Sequence, residues 1–316
     1  MNWSISLIVA FVITAAITPL LIPFLRKLKF GQMILEDGPT WHAKKQGTPT
    51  MGGLAFIFAI AVGALIMSRS METVFVVLSG VLFGVVGFID DYIKVVKKRN
   101  KGFSASAKFL CQAVVAVGLA IWMSLVGDMK IMLPFASFEL SLQWFVYIPF
   151  VMFVFLATVN SVNLTDGIDG LASSVAAVCA LFFMAAAVKL GQSAVAVALG
   201  ATVGGLLGFL IYNFFPAKVF MGDTGSLFLG GILSGAAVMM GMELFLIIAG
   251  FVFLAETMSD IIQVAYYKKT KKRIFKMAPL HHHFEMCGWK ETKIVAVFTF
   301  VTLILGVICY FGIVKG

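Results

Sequence analysis

The chain consists mainly of apolar stretches that are long enough to cross a lipid bilayer. Ten of them lie at 3–24, 52–68, 73–90, 108–126, 143–161, 171–189, 194–213, 226–241, 244–265 and 292–314. A transmembrane helix needs about 20 predominantly apolar residues, whereas a membrane β-barrel would show alternating segments of about ten. Of 316 residues, 61% are hydrophobic and only 12% are charged. The sequence therefore predicts an all-α polytopic membrane protein with ten transmembrane helices.

Ten spans of about 20 residues use about 200 of the 316 residues, so no separate soluble domain fits and we expect one integral-membrane domain that extends over 1–316. The longest outer connection, 127–142, alternates loosely and contains Pro134, which is compatible with a small hairpin or with a surface helix. The four cysteines show no paired spacing and are expected to be free thiols.

The positive charges are distributed unevenly along the chain, and this distribution predicts the orientation. All lysines and arginines except Arg69, Lys130, Lys189 and Lys315 lie in or beside the segments 25–51, 91–107, 162–170, 214–225 and 266–291. Because basic loops stay in the cytoplasm, we expect these segments to be cytoplasmic and both termini to be outside. Orientation and attraction to anionic membrane lipid account for the net charge of +9, so nucleic acid is not expected as a partner.

The acidic residues and histidines follow the same division. All four histidines and all 15 acids except Glu72, Asp128, Glu139 and Glu243 lie on or toward the predicted cytoplasmic side. A site made of titratable groups is therefore expected on the cytoplasmic face.

The stretch GFIDDYIK places two adjacent aspartates, Asp90 and Asp91, behind sixteen uncharged residues, with Lys94 one turn further on. Adjacent carboxylates repel each other unless a cation or a shared proton intervenes. Mg²⁺ commonly binds one or two protein carboxylates together with phosphate oxygens. A salt bridge at a helix end is the structural alternative, but ionisable residues inside membranes usually serve a function.

Two further polar stretches occur at the same predicted depth. In NSVNLTDGIDGLAS, the residues Asn160, Asn163, Asp166 and Asp169 recur at every third position. A capping turn would explain one of these residues but not all four. In GDTGS, Asp223 lies at a helix start, where backbone N–H groups can bind phosphate.

The remaining two stretches are basic. HAKKQGTPTMGG contains Lys45 and Thr50, which could grip phosphate or simply belong to a basic loop. KMAPLHHHFEMC contains His281, His282 and His283, followed by Cys287. A zinc site is an alternative there, but structural zinc needs four suitably spaced ligands, so we favour imidazoles directed at a phosphate. Together the five stretches predict metal-assisted phosphoryl transfer at the membrane boundary.

The five stretches, in this order between Arg26 and Glu291, resemble the phospho-N-acetylmuramoyl-pentapeptide transferase family. This family is a branch of the polyprenyl-phosphate N-acetylhexosamine-1-phosphate transferases, and TPTMGG and PLHHHFE indicate this branch. The resemblance implies transfer of phospho-MurNAc-pentapeptide from UDP-MurNAc-pentapeptide to undecaprenyl phosphate. The products would be lipid I and UMP, with Mg²⁺ as cofactor. It also implies a multi-pass protein of the bacterial inner membrane that forms a homodimer.

The resemblance further implies roles for individual residues. The expected catalytic residues are Asp90, Asp91, Asp223 and His282, with Asp223 and Asp91 at the metal and Asp90 as the base. The expected substrate-binding residues are Lys45, Thr50, Lys94, Lys108, Asn163, Asp166, Gly167, Asp169, Asn213, Phe220, His281 and His283. Phe220 is expected to stack on uracil.

Two other functions and two mechanisms stay open at this point. Transfer of GlcNAc-1-phosphate to the same lipid would use a similar site. A cation-coupled transporter is favoured only by Glu256 and Asp260, which lie one helical turn apart inside the ninth span. The transfer itself could occur directly, with Asp90 activating the lipid phosphate, or through an aspartyl intermediate on Asp223.

Overall fold

The architecture is a bundle of helices with one short hairpin. A computed structural model of the protein describes residues 2–28, 45, 47–96 and 102–314, without the side chains of 95 and 96. Its helices are α1 (Asn2–Lys27), α2 (Gly53–Met67), α3 (Met71–Val96), α4 (Ala105–Val126), α5 (Trp144–Thr165), α6 (Leu171–Lys189), α7 (Ser193–Asn213), α8 (Gly222–Met239), α9 (Phe245–Ala249), α10 (Phe251–Thr270), α11 (Leu280–Met286) and α12 (Glu291–Phe311). The strands are β1 (Lys130–Met132) and β2 (Glu139–Ser141).

The helices confirm the predicted class of all-α polytopic membrane protein. Within the described residues, seven helices are long and apolar enough to cross a membrane, namely α1, α3, α4, α5, α6, α7 and α12. Helix α2 is equally apolar but has only 15 residues. Each of the ten predicted spans falls on helical structure, but ten membrane crossings remain a prediction.

The ninth predicted span, 244–265, differs from the structure because it contains two helices. Helix α9 ends at Gly250, whose N–H donates to the carbonyl of Leu246 at 2.9 Å, and α10 begins at Phe251. Helix α10 then continues to Thr270, beyond the apolar run, through a polar segment that hydropathy does not mark as helical. Hydropathy alone therefore shows neither the break nor the true end.

The connection 127–142 forms the hairpin, which was one of its two predicted structures. Strands β1 and β2 are antiparallel, with Lys130 opposite Ser141. The N–H of Met132 donates to the carbonyl of Gly241 at 2.6 Å, and the N–H of Phe135 donates to that of Gly312 at 2.8 Å. The hairpin thus packs on the ends of α8 and α12.

The core lies around α6, α7 and α8. In the most apolar window of α6 and of α7, 78% of the residues are buried, compared with 22% in α1. The outer helices expose large apolar side chains, for example Leu20, Leu125 and Phe311, which are 73%, 79% and 75% exposed. A water-soluble protein rarely exposes such extensive apolar surface, whereas lipid tails solvate it.

Helices α1 and α7 approach each other closely through glycines. Gly200, Gly204 and Gly208 follow one another at intervals of four on α7, and a Cβ at any of them would collide with the backbone of α1. Small residues at this spacing allow membrane helices to pack backbone against backbone.

Helices α3 and α5 end, and α4 and α8 begin, at the same end of the bundle, which we call the site end. The hairpin lies at the opposite end, the hairpin end. Several residues used to predict the orientation lie outside the described residues: Lys29, Glu36, Asp37, His42, Lys44, Lys97, Lys98, Arg99, Lys101 and Lys315.

Candidate active site

The site begins where α3 crosses the start of α8. A Cβ at Gly87 of α3 would overlap the carbonyl group of Asp223, so only glycine permits this crossing distance. Asp90 and Asp91 follow on the next turn of α3. The crossing therefore brings the aspartate pair of α3 to the first turn of α8.

Two lysines connect the carboxylates of the two helices. Lys94 Nζ lies 2.7 Å from Asp90 Oδ2 and 2.7 Å from Asp223 Oδ2. Lys108 Nζ, from the first turn of α4, lies 2.9 Å from Asp223 Oδ2 and 3.7 Å from Asp90 Oδ2. Both ammonium groups reduce the repulsion between the two carboxylates.

Asn163, near the end of α5, completes this cluster. Its Nδ2 donates to Asp223 Oδ1 and to Ser226 Oγ, each at 2.8 Å. Its Oδ1 accepts from Lys108 Nζ at 3.4 Å. Asn160, one turn earlier, instead donates to Gln112 Oε1 at 2.9 Å. We call Asp90, Lys94, Lys108, Asn163 and Asp223 the charged cluster.

The two adjacent aspartates have different partners. Asp90 Oδ1 accepts the N–H of Phe103 at 2.6 Å, which anchors the start of α4, while Oδ2 faces the lysines. Asp91 accepts three hydrogen bonds from the start of α8. The donors are the N–H of Asp223 at 3.2 Å, the N–H of Thr224 at 2.9 Å and the Thr224 hydroxyl at 2.7 Å. Asp91 thus caps α8 from a neighbouring helix, satisfying N–H groups that a helix start leaves unpaired.

The Gly/Thr loop is joined to the segment that precedes α8. The N–H of Gly52 donates to the carbonyl of Phe220 at 2.8 Å, and the N–H of Phe220 donates to that of Pro49 at 2.9 Å. A Cβ at Gly222 would lie 2.8 Å from Thr50 Oγ1, so the Thr50 hydroxyl borders the start of α8. Phe220 is half-buried.

Lys45 forms a second ionic group with acids of two other segments. Its Nζ lies 2.7 Å from Asp169 Oδ1 and 2.6 Å from Glu291 Oε2. The N–H of Asp169 also donates to Glu291 Oε2, and Asp169 Oδ2 accepts the N–H of Ala217 at 2.8 Å. Lys45, Asp169 and Glu291 therefore connect the Gly/Thr loop, the α5–α6 turn and the start of α12.

Asp166, in the same turn, has a perturbed acidity. Burial raises its pKa to about 8, and the negative charges of Asp223, Asp91 and Asp169 contribute in the same direction. Burial and the neighbouring negative charges therefore favour the protonated form of this carboxyl, which can donate a hydrogen bond.

Asn213 lies beside the site, but its side chain makes hydrogen bonds within the protein. It is 2% exposed; its Oδ1 accepts from Ser173 Oγ at 2.7 Å and its Nδ2 donates to the carbonyl of Val219 at 3.0 Å. These contacts fix the chain that leads to Phe220. Its predicted contact with substrate stays a prediction.

The three consecutive histidines have three different environments. His281 Nδ1 lies 3.0 Å from Glu256 Oε2, and His282 Nδ1 lies 2.7 Å from Glu285 Oε2. His283 Nδ1 accepts the N–H of Lys276 at 3.1 Å, which fixes the segment before α11. In the part of the chain that the structure describes, no group of three or more His, Cys, Asp or Glu side chains could hold a metal ion. The zinc alternative therefore has no support there.

The charged cluster nevertheless suits Mg²⁺, which needs only one or two protein carboxylates when phosphates supply further ligands. Asp90 Oδ2 and Asp223 Oδ2 converge on one cation, the Lys94 ammonium, at 2.7 Å each. Asp91 is directed at the backbone of α8 instead. The geometry favours Asp90 over Asp91 as the carboxylate that acts beside Asp223.

A separate cavity of about 710 Å³ lies at the hairpin end, between the starts of α3 and α7 and the hairpin. Its charged lining residues are Glu72, Asp128, Lys130 and Glu139. None of the predicted site residues belongs to this lining.

Several residues that support the site were not assigned from the sequence. Thr224 holds Asp91, Glu291 holds Lys45, and Glu256 and Glu285 each pair with a histidine. Glu285 and Glu291 were recognisable only as acids on the same predicted side, and Glu256 only as half of the pair with Asp260 that favoured a transporter. Their partners lie in remote segments, or on a short helix that hydropathy does not reveal.

A helical membrane protein that gathers carboxylates, lysines and an amide at one end of its bundle has the composition of a phosphoryl-transfer enzyme for a membrane-bound acceptor. The model of Glycosyl transferase family 4 matches residues 73–241, and the Phospho-N-acetylmuramoyl-pentapeptide-transferase signature 1 matches residues 45–57. The chain belongs to the phospho-N-acetylmuramoyl-pentapeptide transferase family.

Curated relatives support this membership over almost the whole chain. The Phospho-N-acetylmuramoyl-pentapeptide-transferase of Desulforudis audaxviator is 47% identical over 98% of this chain and 97% of its own length. That of Clostridium botulinum (strain Eklund 17B / Type B) is 47% identical over 98% and 95%. That of Bacillus cytotoxicus is 48% identical over 96% of both chains. The family resemblance seen in the five stretches is thus confirmed.

Proposed function

We propose that this protein transfers phospho-MurNAc-pentapeptide from UDP-MurNAc-pentapeptide to undecaprenyl phosphate, forming lipid I and UMP. The observation that carries this proposal is the similarity to transferases of that name, which reaches 47% identity over 98% of the chain. The charged cluster supplies the groups that such a transfer needs. We place the protein in the bacterial inner membrane, with the site end in the cytoplasm, and expect it to act as a homodimer.

In the transfer, an oxygen of the lipid phosphate attacks the phosphorus that carries the sugar. A new P–O–P bond forms while the bond from that phosphorus to the UMP oxygen breaks, and UMP leaves with the electron pair. Lys94 and Lys108 lie where they can neutralise negative charge on the diphosphate. Asp90 is the base for any proton that remains on the lipid phosphate, and His282 contributes at the same end.

Mg²⁺ would be held by Asp223 together with the substrate phosphates, and would supply a Lewis acid that offsets the developing charge. The remaining substrate contacts follow the family resemblance. Lys45 and Thr50 border the diphosphate side. Phe220, Asp166, Gly167 and Asp169 border the nucleoside side.

Direct transfer is better supported than a covalent intermediate on Asp223. Both carboxylate oxygens of Asp223 are engaged, Oδ2 by two lysines and Oδ1 by Asn163. A carboxylate stabilised by this many donors is a poor nucleophile because its charge is already satisfied. We therefore expect no exchange of labelled UMP into the UDP-sugar when lipid acceptor is absent.

Of the two competing functions, the transporter is the one that the structure bears on. The transporter reading relied on Glu256 and Asp260, but Glu256 pairs with His281 at the site end. Transfer of GlcNAc-1-phosphate is distinguished from the proposed reaction by an assay that shows which UDP-sugar is consumed.

The test is UMP release by purified protein supplied with undecaprenyl phosphate, Mg²⁺ and either UDP-MurNAc-pentapeptide or UDP-GlcNAc. We expect release only with the pentapeptide donor, and loss of release on chelation of Mg²⁺. Release with UDP-GlcNAc alone, or full activity in Mg²⁺-free buffer, would contradict the proposal.

A further inference from the structure

Glu256 is a buried acid on α10 that the transfer chemistry does not use. Its side chain is 0% exposed. A carboxylate removed from water needs compensating hydrogen bonds, since its transfer into an apolar interior is otherwise strongly unfavourable. The partner of Glu256 therefore indicates what this residue is for.

That partner is His281, the first residue of the histidine run on α11. Glu256 Oε2 lies 3.0 Å from His281 Nδ1, and Glu256 Oε1 accepts the backbone N–H of His281 at 3.1 Å. One carboxylate thus holds both the backbone and the ring of the same residue. Because the carboxylate only accepts when ionised, Nδ1 carries the proton and Nε2 is the ring atom left for another partner.

The free atom of the ring points at the active-site turn between α5 and α6. His281 is 1% exposed, and its Nε2 is buried and has no hydrogen-bond partner among the described residues. A Cβ at Gly167 would overlap this same Nε2, so the ring contacts the backbone between Asp166 and Ile168. An unpaired buried ring nitrogen is unfavourable, and a substrate group entering this turn would satisfy it.

The neighbouring histidines do not share this arrangement. His282 pairs with Glu285 on its own helix, and His283 binds the backbone of Lys276. His281 is held by an acid from another long helix, and its second nitrogen faces the turn.

We propose that Glu256 is a positioning residue, which fixes the orientation and the tautomer of His281 so that Nε2 contacts the bound UDP-sugar donor at the α5–α6 turn. This inference rests on the proposed function. Glu256 does not touch the substrate itself, and its effect on turnover passes through His281. In metal sites, removal of a carboxylate that orients a ligand histidine commonly changes affinity or activity by about 10–100-fold, and we expect an effect of that size here.

A purely structural role, in which Glu256 only attaches α11 to α10, predicts a different pattern. In that case, removal of Glu256 would lower stability and activity whether or not His281 is present. A double-mutant cycle separates the two roles because it measures the dependence of one residue on the other.

The experiment measures kcat and KM for UMP release with Glu256→Leu, Glu256→Gln, His281→Gln and the two double variants. Rates are expressed per folded protein, with folding assessed by the thermal unfolding midpoint. We expect Glu256→Leu to lower kcat/KM by about 10–100-fold. Glu256→Gln should recover part of this loss, since its amide oxygen still accepts from Nδ1. In the His281→Gln background, neither change at Glu256 should lower kcat/KM further.

Asp260, one turn further along α10 and half-buried, provides the matched control. Asp260→Asn should leave kcat/KM unchanged. If Glu256→Leu fails to accumulate, the double-mutant cycle with His281→Gln is measured with Glu256→Gln alone. Equal losses with and without His281, or an equal loss from Asp260→Asn, would overturn the positioning role. Absence of UMP release from the wild-type protein would instead overturn the proposed function, and the inference with it.

Discussion

Asp90 and Asp91 are neighbours in the chain and yet occupy unlike environments. Successive residues of an α-helix point about 100° apart, so the two adjacent carboxylates on α3 diverge. Asp90 is directed toward the lysines of the charged cluster, and Asp91 toward the start of α8. The sequence predicted Asp91 at the metal, and that role stays a prediction; in the ligand-free protein Asp91 binds the start of α8.

This difference leads to contrasting expectations for Asp223→Asn and Asp91→Asn. Loss of the Asp223 charge should lower kcat by about 100- to 1,000-fold and raise the Mg²⁺ concentration required for half-maximal UMP release. In Asp91→Asn, an NH₂ group replaces one of the two oxygens that accept hydrogen bonds from three donors, so a donor then faces a donor. It should destabilise the protein by about 1–3 kcal/mol with little change in the Mg²⁺ requirement. Mg²⁺ titrations of UMP release, together with thermal unfolding of both variants, measure these effects. A raised Mg²⁺ requirement in Asp91→Asn would show that Asp91 binds the metal.

At the scale of elements, the site depends on how closely α3 can approach α8. The charged cluster draws its groups from α3, α4, α5 and α8. Such a site functions only when the helices keep their spacing, since a displacement of about 1 Å can lower a rate about 100-fold. Gly87 sets this spacing because a side chain there would meet the backbone of α8.

Gly87→Ala should therefore lower UMP release by about 100-fold although no reacting group is removed. The added methyl overlaps the carbonyl of Asp223 and separates Asp90 from Asp223. The control is Gly118→Ala in α4, where a Cβ meets nothing within 4 Å and alanine is a better helix former. Comparable activity in the two variants, both verified as folded, would show that this helix spacing is not critical.

At the scale of the whole molecule, the orientation in the membrane can be tested with cysteine labelling. Cys287 is exposed at the site end, and Ser137 is exposed in the hairpin. With Cys111, Cys179 and Cys309 replaced, a membrane-impermeant maleimide should label Ser137→Cys (in a Cys287→Ser background) in intact cells. Cys287 should react only after the membrane is opened, because the positive-inside rule places the site end in the cytoplasm. The reverse labelling pattern would invert the orientation.

The sequence predicted those features that have a local signature. Apolar runs located the helices because lipid-facing and buried residues are both apolar, and charges at the ends of such runs located Asp90, Lys94 and Asp223. The break at Gly250 was not predictable, since one glycine inside an apolar run leaves hydropathy unchanged. The contact of Lys45 with Glu291 was equally hidden, because the two residues lie at opposite ends of the chain. Contacts between remote segments follow from tertiary packing and have no periodic pattern.

The backbone pairing between 49–53 and 219–221 has a consequence for how such proteins can diverge. Two segments that are distant in the gene form one continuous wall, in which a Cβ at Gly52 would lie 2.5 Å from Val219 Cγ2. A larger residue at position 52 would meet the Val219 side chain and also the carbonyl oxygen of Phe220, at 2.9 Å, so it requires the 219–221 backbone to shift. Recombination that exchanges one segment without the other will tend to disrupt the packing between them. The two segments are therefore expected to be inherited together.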